Sequence, residues 1–219
     1  MIESVLPDVV VSAVARQDDP EHALPEAEEA AVTRAVASRR AEFTTARACA
    51  HEALRRLGAP AEAIPVGQKR APVWPDGVVG SITHCTGFRA AAVAWSTTIR
   101  SVGIDAEVHD ALPDGVLDAV SDAGERSVLA GLPAGICWDR VLFSGKESVY
   151  KAWFPLAHRW LGFEDAELTP APDGTFTVRL RVEGPIVDGA ELTALSGRWA
   201  VRDGLVVTSV VVPRRGFGV

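Results

Sequence analysis

Short apolar runs rich in β-branched residues alternate along the chain with longer segments of helical periodicity. Residues 6–15 (LPDVVVSAVA) predict a buried strand. Residues 25–57 begin with a proline followed by glutamates and end before Gly58, which predicts one long helix or two. Residues 64–76 contain three prolines and a glycine, which predicts an ordered loop.

The middle of the chain continues this pattern with three strands followed by two helical tracts. The predicted strands are residues 77–84, 89–95 and 99–108, and the predicted helical tracts are residues 112–132 and 136–161. The start of the second tract is open between Trp138 and Ser144, since a serine can cap a helix. Pro155 is expected to kink or end that helix.

The last fifty residues predict a β-rich segment. Apolar runs at 175–182, 192–195, 199–201 and 206–212 are separated by turn residues. Asp203 and Gly204 lie between two β-branched runs, and this dipeptide favours a tight hairpin.

The order of these elements indicates an α/β (α+β) fold. The strands cluster rather than alternate singly with helices, which favours two α/β lobes over one parallel sheet. We place the lobes at residues 1–108 and 109–219 and expect them to be related by a pseudo-twofold axis, with the functional site at their interface. Interfaces of this kind commonly hold ligands.

Composition narrows the class of partner. The chain has 219 residues, of which 47% are hydrophobic and 23% charged, and its net charge is −7. It can therefore bury a sizeable core. An acidic chain lacks the basic surface that general nucleic-acid binding requires. Any bound anion is therefore expected to rest on a local cluster of basic residues.

The cysteines and the apolar runs indicate the cellular compartment of the protein. Cys49, Cys85 and Cys137 are odd in number and far apart, which fits neither a disulfide framework nor a zinc-ligand spacing. No pattern typical of a signal peptide or a membrane span is found. We expect a soluble, cytoplasmic protein with reduced thiols and no membrane partner.

Three carboxylates and a lysine indicate phosphate chemistry. Glu147 and Lys151 are four residues apart and share a helix face, whereas Asp105 and Glu107 share a strand face. Hard oxygen ligands beside a cationic side chain suit a divalent cation that bridges phosphate oxygens. Each feature also has an ordinary structural explanation, namely a helix cap at Ser144, a surface ion pair and a solvated strand face.

Basic residues upstream form a second candidate cluster. Arg47 shares a helix face with either Arg39 or Arg40, and Lys69 with Arg70 lies in the predicted loop. His84 follows a hydroxyl residue at a strand end, where polar groups often converge on a ligand. A solvated basic helix face and a structural histidine are the alternatives.

Taken together, these segments resemble the 4'-phosphopantetheinyl transferases, specifically the long monomeric class and most closely its siderophore-synthesis branch. The resemblance rests on five segments in order, which are residues 39–47, 69–75 (KRAPVWP), 80–85 (GSITHC), 103–107 (GIDAE) and 143–151 (FSGKESVYK). Thr83 stands where several members have serine, and Ala106 stands where many have a larger apolar residue.

The resemblance implies an activity and its partners. Coenzyme A would lie in the cleft between the lobes as co-substrate. Its phosphopantetheine arm would pass to a serine of an apo acyl, peptidyl or aryl carrier protein, with release of adenosine 3',5'-bisphosphate. A Mg²⁺-dependent phosphohydrolase and a non-catalytic coenzyme A-binding module remain as alternatives.

The resemblance also implies roles for individual residues. Asp105, Glu147 and Lys151 are the catalytic candidates, with Glu147 as the base. The predicted contacts are Arg39, Arg47 and His84 to the 3'-phosphate with Thr83 beside it; Lys69, Arg70 and Pro72 to the adenosine; Asp105, Glu107 and Glu147 to Mg²⁺, with Mn²⁺ as the alternative metal; and Lys146 and Lys151 to the pyrophosphate.

Overall fold

Two antiparallel sheets, each packed against one long helix, form the two lobes of the protein. The computed structural model describes residues 1–19, 22–60 and 62–217. The helices are α1 (Glu26–Glu29), α2 (Ala37–Leu57), α3 (Val116–Val120), α4 (Ala123–Ala130) and α5 (Trp138–Ala157). The strands are β1 (Val11–Ala15), β2 (Val78–Cys85), β3 (Phe88–Trp95), β4 (Ile99–Val108), β5 (Ala166–Pro170), β6 (Thr175–Leu180), β7 (Ile186–Val187), β8 (Ala190–Glu191), β9 (Ala194–Arg202) and β10 (Leu205–Pro213).

The N-terminal lobe is a three-stranded sheet in the order β1-β3-β2, with α2 on one face. The central strand β3 is buried along almost its whole length. Its alanines allow close packing on both faces: Ala91 lies in the core beneath α2, whereas Ala92 lies in the core shared with Ile104 and Val207 of the other lobe. Small side chains in β3 therefore bring the two lobes together.

The predicted elements of this lobe are largely confirmed. The segment 25–57 forms two helices, and α2 ends at Gly58, whose φ of 76° is the left-handed conformation that glycine favours. The strand predicted at 6–15 begins only at Val11, because a turn precedes it in which the Val10 amide donates to the Pro7 carbonyl.

The C-terminal lobe is a five-stranded sheet in the order β4-β10-β9-β6-β5, with α5 packed against it. The hairpin between β9 and β10 turns at Asp203 and Gly204, which have φ values of 50° and 74°. This confirms the predicted turn. The short strand β5 and the small β7–β8 hairpin were not predicted.

The strand β4 belongs to the C-terminal sheet. It pairs with β10 from Val108 opposite Leu205 to Ile99 opposite Pro213. The predicted division after residue 108 therefore differs from the sheets, which separate between Trp95 and Ile99. Within the described residues, the mixed architecture of helices and antiparallel sheets confirms the α/β (α+β) class.

Two hydroxyl groups of β2 form hydrogen bonds across the seam between the lobes. The Ile104 amide donates to Ser81 Oγ at 3.1 Å, and the Ala106 amide donates to Thr83 Oγ1 at 3.2 Å. Side-chain oxygens of β2 thus satisfy amides of β4 where the two sheets meet.

The structure also gives the boundaries of the helices in the two predicted helical tracts. Residues 112–132 form two short helices, and α4 begins with a capping box between Asp122 and Glu125. The helix α5 begins at Trp138, so Ser144 lies inside it and does not cap it. Pro155 lies in the last turn, and the helix ends at Ala157. In the described part of the chain, no helix is both long and apolar enough to cross a membrane.

Candidate active site

A cleft between the lobes collects residues from both. It is a cavity of about 200 Å³ lined by the loop Lys69–Pro72, by Gly80–Ile82 of β2 and by the α5 side chains Glu147, Tyr150, Lys151 and Phe154, together with Trp74 and Pro155. The structure therefore brings together five residues predicted from widely separated segments, which are Lys69, Arg70, Pro72, Glu147 and Lys151.

Asp105 is held next to this cleft by three side chains from two elements, β2 and α5. It receives hydrogen bonds from Thr83 Oγ1 at 3.1 Å, from Lys151 Nζ at 2.7 Å and from Ser144 Oγ at 2.8 Å. Asp105 is 5% exposed. The sequence pattern does not predict the contact from Ser144, because a serine three residues before a glutamate also matches a helix cap.

Close packing of β4 on α5 makes these contacts possible. A Cβ atom on Gly103 would lie 1.9 Å from the Ser148 carbonyl oxygen and 2.6 Å from the Ala152 amide nitrogen. Only glycine lets the two backbones approach this closely. The approach places Asp105 of the strand within hydrogen-bonding distance of Lys151 on the helix.

Glu107 is paired with an arginine that sequence reasoning missed. Arg140 Nη1 lies 3.0 Å from Glu107 Oε2, and the same guanidinium donates to the carbonyls of Asp110 and Ala111 at 2.9 Å each. Burial raises the pKa of Glu107, and the nearby Asp105 charge raises it further, whereas Arg140 opposes the shift. Arg140 thus holds both the carboxylate and the segment that follows β4.

Glu147 lines the cleft on the α5 side. Burial raises the pKa of its carboxyl group, Lys151 lowers it, and Asp105 raises it again. A carboxylate with a raised pKa is a better proton acceptor near neutral pH than an ordinary glutamate. Glu147 therefore suits the role of a general base.

The three predicted metal ligands are neighbours but do not converge. Among the described residues, no three His, Cys, Asp or Glu side chains come close enough together to hold a metal ion. Asp105 is bonded to Lys151, and Glu107 is bonded to Arg140. The donor set still fits Mg²⁺ chemically, because it consists of hard oxygen ligands whose mutual repulsion a cation would relieve.

Lys146 does not line the cleft, contrary to the expectation that it contacts a pyrophosphate. Its Nζ donates to the Val120 and Phe163 carbonyls at 2.9 and 2.8 Å and to the Glu125 carboxylate at 2.8 Å. Lys146 is 4% exposed. An ammonium group has three donors, and all three are used. The structure therefore gives Lys146 a structural role in the C-terminal lobe.

A second cavity adjoins the cleft and is strongly basic. It has a volume of about 150 Å³ and is lined by Arg39, Phe43, Ala46, Arg47, Arg70, Pro72, Ile82 and His84. Arg70, Pro72 and Ile82 also line the cleft. The predicted arginines and histidine are thus brought together next to the carboxylate cluster, which comprises Asp105, Glu107 and Glu147.

Arg39 and His84 are in direct contact in this basic cavity. Arg39 Nη1 lies 2.9 Å from His84 Nε2 and 3.3 Å from Glu42 Oε2. Burial lowers the pKa of His84, and the charge of Arg39 lowers it further. A neutral His84 can accept a hydrogen bond from Arg39.

Arg47 has a buried donor without a partner. It is 4% exposed, and its guanidinium lies 4.8 Å from the centre of the Phe43 ring. Its Nη1 finds no hydrogen-bond acceptor in the described part of the chain. Burial lowers the pKa of Arg47. An unpaired buried donor is costly, and a bound anion would satisfy it.

Thr83 does not face the basic cavity. Neighbouring residues of a strand point to opposite faces, so His84 meets Arg39 while Thr83 meets Asp105 and Lys151. Thr83 therefore lies at the carboxylate cluster and not beside the predicted 3'-phosphate site, contrary to the expectation.

The loop that carries Lys69 and Arg70 has an unusual backbone. Both residues have positive φ values, 51° and 66°, and the loop is closed by a hydrogen bond of 2.8 Å from the Gly67 amide to the Ala71 carbonyl. Non-glycine residues pay about 1–3 kcal/mol for such conformations, which cluster at ligand sites. The two basic side chains are thereby directed to the lining of the cleft.

Comparison with known proteins identifies the family. Residues 27–94 match the 4'-phosphopantetheinyl transferase N-terminal domain, and residues 101–202 match the 4'-phosphopantetheinyl transferase superfamily. The chain is 49% identical to 4'-phosphopantetheinyl transferase PptT of Mycobacterium tuberculosis, over 97% of this chain and 98% of that protein. The chain belongs to the 4'-phosphopantetheinyl transferase superfamily.

Other members of this transferase superfamily resemble the chain to different degrees. It is 52% identical to 4'-phosphopantetheinyl transferase Svp of Streptomyces mobaraensis, over 97% of this chain and 89% of that protein. Enterobactin synthase component D of Salmonella typhi is 37% identical, over 60% of this chain and 55% of that protein. The likeness to PptT and Svp thus extends over nearly the whole chain, whereas the likeness to this enterobactin synthase component covers about three fifths of it.

Proposed function

We propose that this transferase moves the 4'-phosphopantetheine arm of coenzyme A to a serine of an apo carrier protein. One observation supports the proposal above the others. A basic cavity, in which the buried Nη1 of Arg47 has no partner among the described residues, adjoins a cleft that contains Lys151 and the half-buried Glu147. Coenzyme A carries phosphate at two separate places, which this arrangement can bind.

The basic cavity accommodates the 3'-phosphate in this proposal. Arg47 supplies the unpaired donor, and Arg39 with His84 supplies neighbouring donors. Charge-assisted hydrogen bonds to phosphate are strong because both partners are ionised or strongly polar. Lys69, Arg70 and Pro72 then border the adenosine, between the basic cavity and the cleft.

The transfer step takes place in the cleft. The carrier serine oxygen attacks the phosphorus bonded to the pantetheine, and the bridging P–O bond breaks to release adenosine 3',5'-bisphosphate. Glu147 accepts the serine proton as the new P–O bond forms. Lys151 donates hydrogen bonds to the departing phosphate and offsets its charge. Asp105 holds Lys151 in place at 2.7 Å.

A divalent cation, Mg²⁺ or Mn²⁺, would be held by Asp105, Glu107 and Glu147 and would offset the pyrophosphate charge. For Asp105 and Glu107 this competes with their contacts to Lys151 and Arg140. Metal dependence is therefore part of the proposal and is open to direct test.

The proposal also covers the carrier protein that accepts the arm and the oligomeric state of the enzyme. We propose acyl, peptidyl or aryl carrier proteins as acceptors and a monomeric enzyme that serves siderophore or related synthases. The relatives named for enterobactin synthesis support this branch over part of the chain only.

Product analysis tests the reaction class. The protein is incubated with coenzyme A, Mg²⁺ and either an apo carrier protein or the same carrier with its acceptor serine replaced by alanine, and released nucleotide is quantified by chromatography. We expect adenosine 3',5'-bisphosphate to appear in step with modified carrier, and only with the serine. Equal nucleotide release without an acceptor serine would indicate hydrolysis and contradict the transferase proposal.

A further inference from the structure

Glu28 is a fully buried carboxylate that joins three parts of the N-terminal lobe. It lies on the short helix α1, and its relative exposure is 0%. Its Oε1 lies 2.8 Å from His51 Nε2 on α2 and accepts a hydrogen bond of 2.7 Å from the amide of Ile64. One oxygen therefore links α1, α2 and the first residue of the loop 64–76.

The same three parts build a cavity beside the basic cavity. It has a volume of about 250 Å³, and its walls are Ala31, Val32 and Ala35 after α1, Arg39, Phe43 and Arg47 of α2, and Val66 and Arg70 of the loop. Arg39, Phe43, Arg47 and Arg70 also line the basic cavity. The relative positions of Arg47 and Arg70 thus depend on how α2 and the loop are held together.

Glu28 also interacts with Arg47 through charge. Burial lowers the pKa of the Arg47 guanidinium, and the Glu28 carboxylate opposes that shift. The two side chains form no ion pair among the described residues, and Glu28 Oε2 and Arg47 Nη1 both lack hydrogen-bond partners there. Arg47 is therefore stabilised in its charged form while its donor stays free for a ligand.

We propose that Glu28 is a positioning residue that sets the geometry of the 3'-phosphate site by tying α1 and α2 to the loop that carries Arg70. A carboxylate buried in a lobe interior is expensive unless it is hydrogen-bonded, and here both of its bonds go to elements that wall the phosphate cavity. This inference rests on the proposed function, because it assumes coenzyme A as the ligand.

The test separates positioning from general stability. Glu28→Ala removes the tie, whereas Glu28→Gln keeps an acceptor for the Ile64 amide and removes the charge. Glu29→Gln is the matched control, because it breaks an exposed ion pair to Arg40 between the same two helices. For each variant, kcat and KM are measured with coenzyme A and with dephospho-coenzyme A, which lacks the 3'-phosphate.

We expect Glu28→Ala to raise KM for coenzyme A about tenfold with little change in kcat, as for a lost binding interaction. KM for dephospho-coenzyme A should change far less. Glu28→Gln should retain most of the wild-type affinity, and Glu29→Gln should match wild type. Equal losses for both substrates, or a loss confined to kcat, would overturn the proposal, as would a Glu28→Gln variant that is as impaired as Glu28→Ala.

Hydrogen exchange gives a readout that does not depend on turnover. Glu28→Ala should speed exchange of the Ile64 amide, whereas Glu29→Gln should not; unchanged exchange would overturn the proposed tie. If Glu28→Ala does not fold, His51→Leu weakens the same link, and it should raise KM for coenzyme A more than KM for dephospho-coenzyme A. A wild-type protein that transfers no phosphopantetheine would instead refute the proposed function itself.

Discussion

Gly103→Ala tests whether the contact between β4 and α5 sets the active-site geometry. The added Cβ would lie 1.9 Å from the Ser148 carbonyl oxygen, whereas ordinary van der Waals contact begins at 3.4 Å. Because both neighbours of the methyl group are backbone atoms, no side chain can swing away. The helix must therefore retreat from the strand by about 1.5 Å, and overpacking of this kind costs about 1–3 kcal/mol of unfolding free energy.

The same displacement should impair transfer. Asp105 is two residues from Gly103 on β4, and its partner Lys151 lies on the helix that moves. A misplacement of about 1 Å in a catalytic constellation can cost on the order of 10²-fold in rate. We therefore expect Gly103→Ala to lose most of its kcat even at temperatures where it remains folded.

Urea denaturation and carrier modification measure the two effects. Gly131→Ala is the control, because that residue has an ordinary helical backbone and the nearest atom to an added Cβ is 3.5 Å away. It should be close to wild type in stability and activity. A Gly103→Ala variant with wild-type stability and kcat would refute the argument that this close approach positions Asp105 and Lys151.

Four further substitutions test separate parts of the account. Glu147→Ala should abolish carrier modification while circular dichroism stays unchanged, and near-normal turnover would exclude Glu147 as the base. Arg47→Ala should raise KM for coenzyme A at least about tenfold, since bonds to charged groups contribute about 1.5–3 kcal/mol, but should affect dephospho-coenzyme A little; equal effects would contradict its role at the 3'-phosphate. Lys146→Met leaves the buried Glu125 carboxylate without its cationic partner, so urea denaturation should show a loss of about 3–5 kcal/mol; a loss below about 1 kcal/mol would contradict the structural role. Burial raises the pKa of Glu28, but bonds from His51 and Ile64 outweigh it and hold that pKa below 4.5. Its charge therefore adds stability that is present above pH 4.5 and lost as pH falls below it, so the stability difference between wild type and Glu28→Gln should shrink in acid, and a difference that grows would contradict this sign.

Local patterns in the sequence were sufficient for elements whose ends have strong signals. Gly58 ended α2 and Asp203-Gly204 marked the last hairpin, because both positions require positive φ values. The start of α5 could not be decided locally. Ser144 and Glu147 match a helix cap by spacing, but α5 begins at Trp138, so Ser144 lies inside the helix, where it bonds to Asp105.

At the candidate site, the sequence could not predict contacts between side chains that lie far apart along the chain. Lys146 follows Ser144-Gly145 and precedes Glu147, so its place in the motif favoured a ligand contact, yet its carboxylate partner is Glu125 on α4. Arg140 carried no local signal, since its acceptors lie about thirty residues upstream, on β4 and the segment that follows it. Such pairings depend on tertiary packing, which short-range periodicity does not contain.

Intact-mass analysis of an apo carrier protein tests the central claim most directly. The carrier is incubated with coenzyme A, Mg²⁺ and the wild-type protein, with Glu147→Ala and with wild type plus EDTA in parallel. The account predicts that the carrier gains one phosphopantetheine with wild type alone. No gain across acyl, peptidyl and aryl carriers, or a gain that persists with Glu147→Ala, would contradict it.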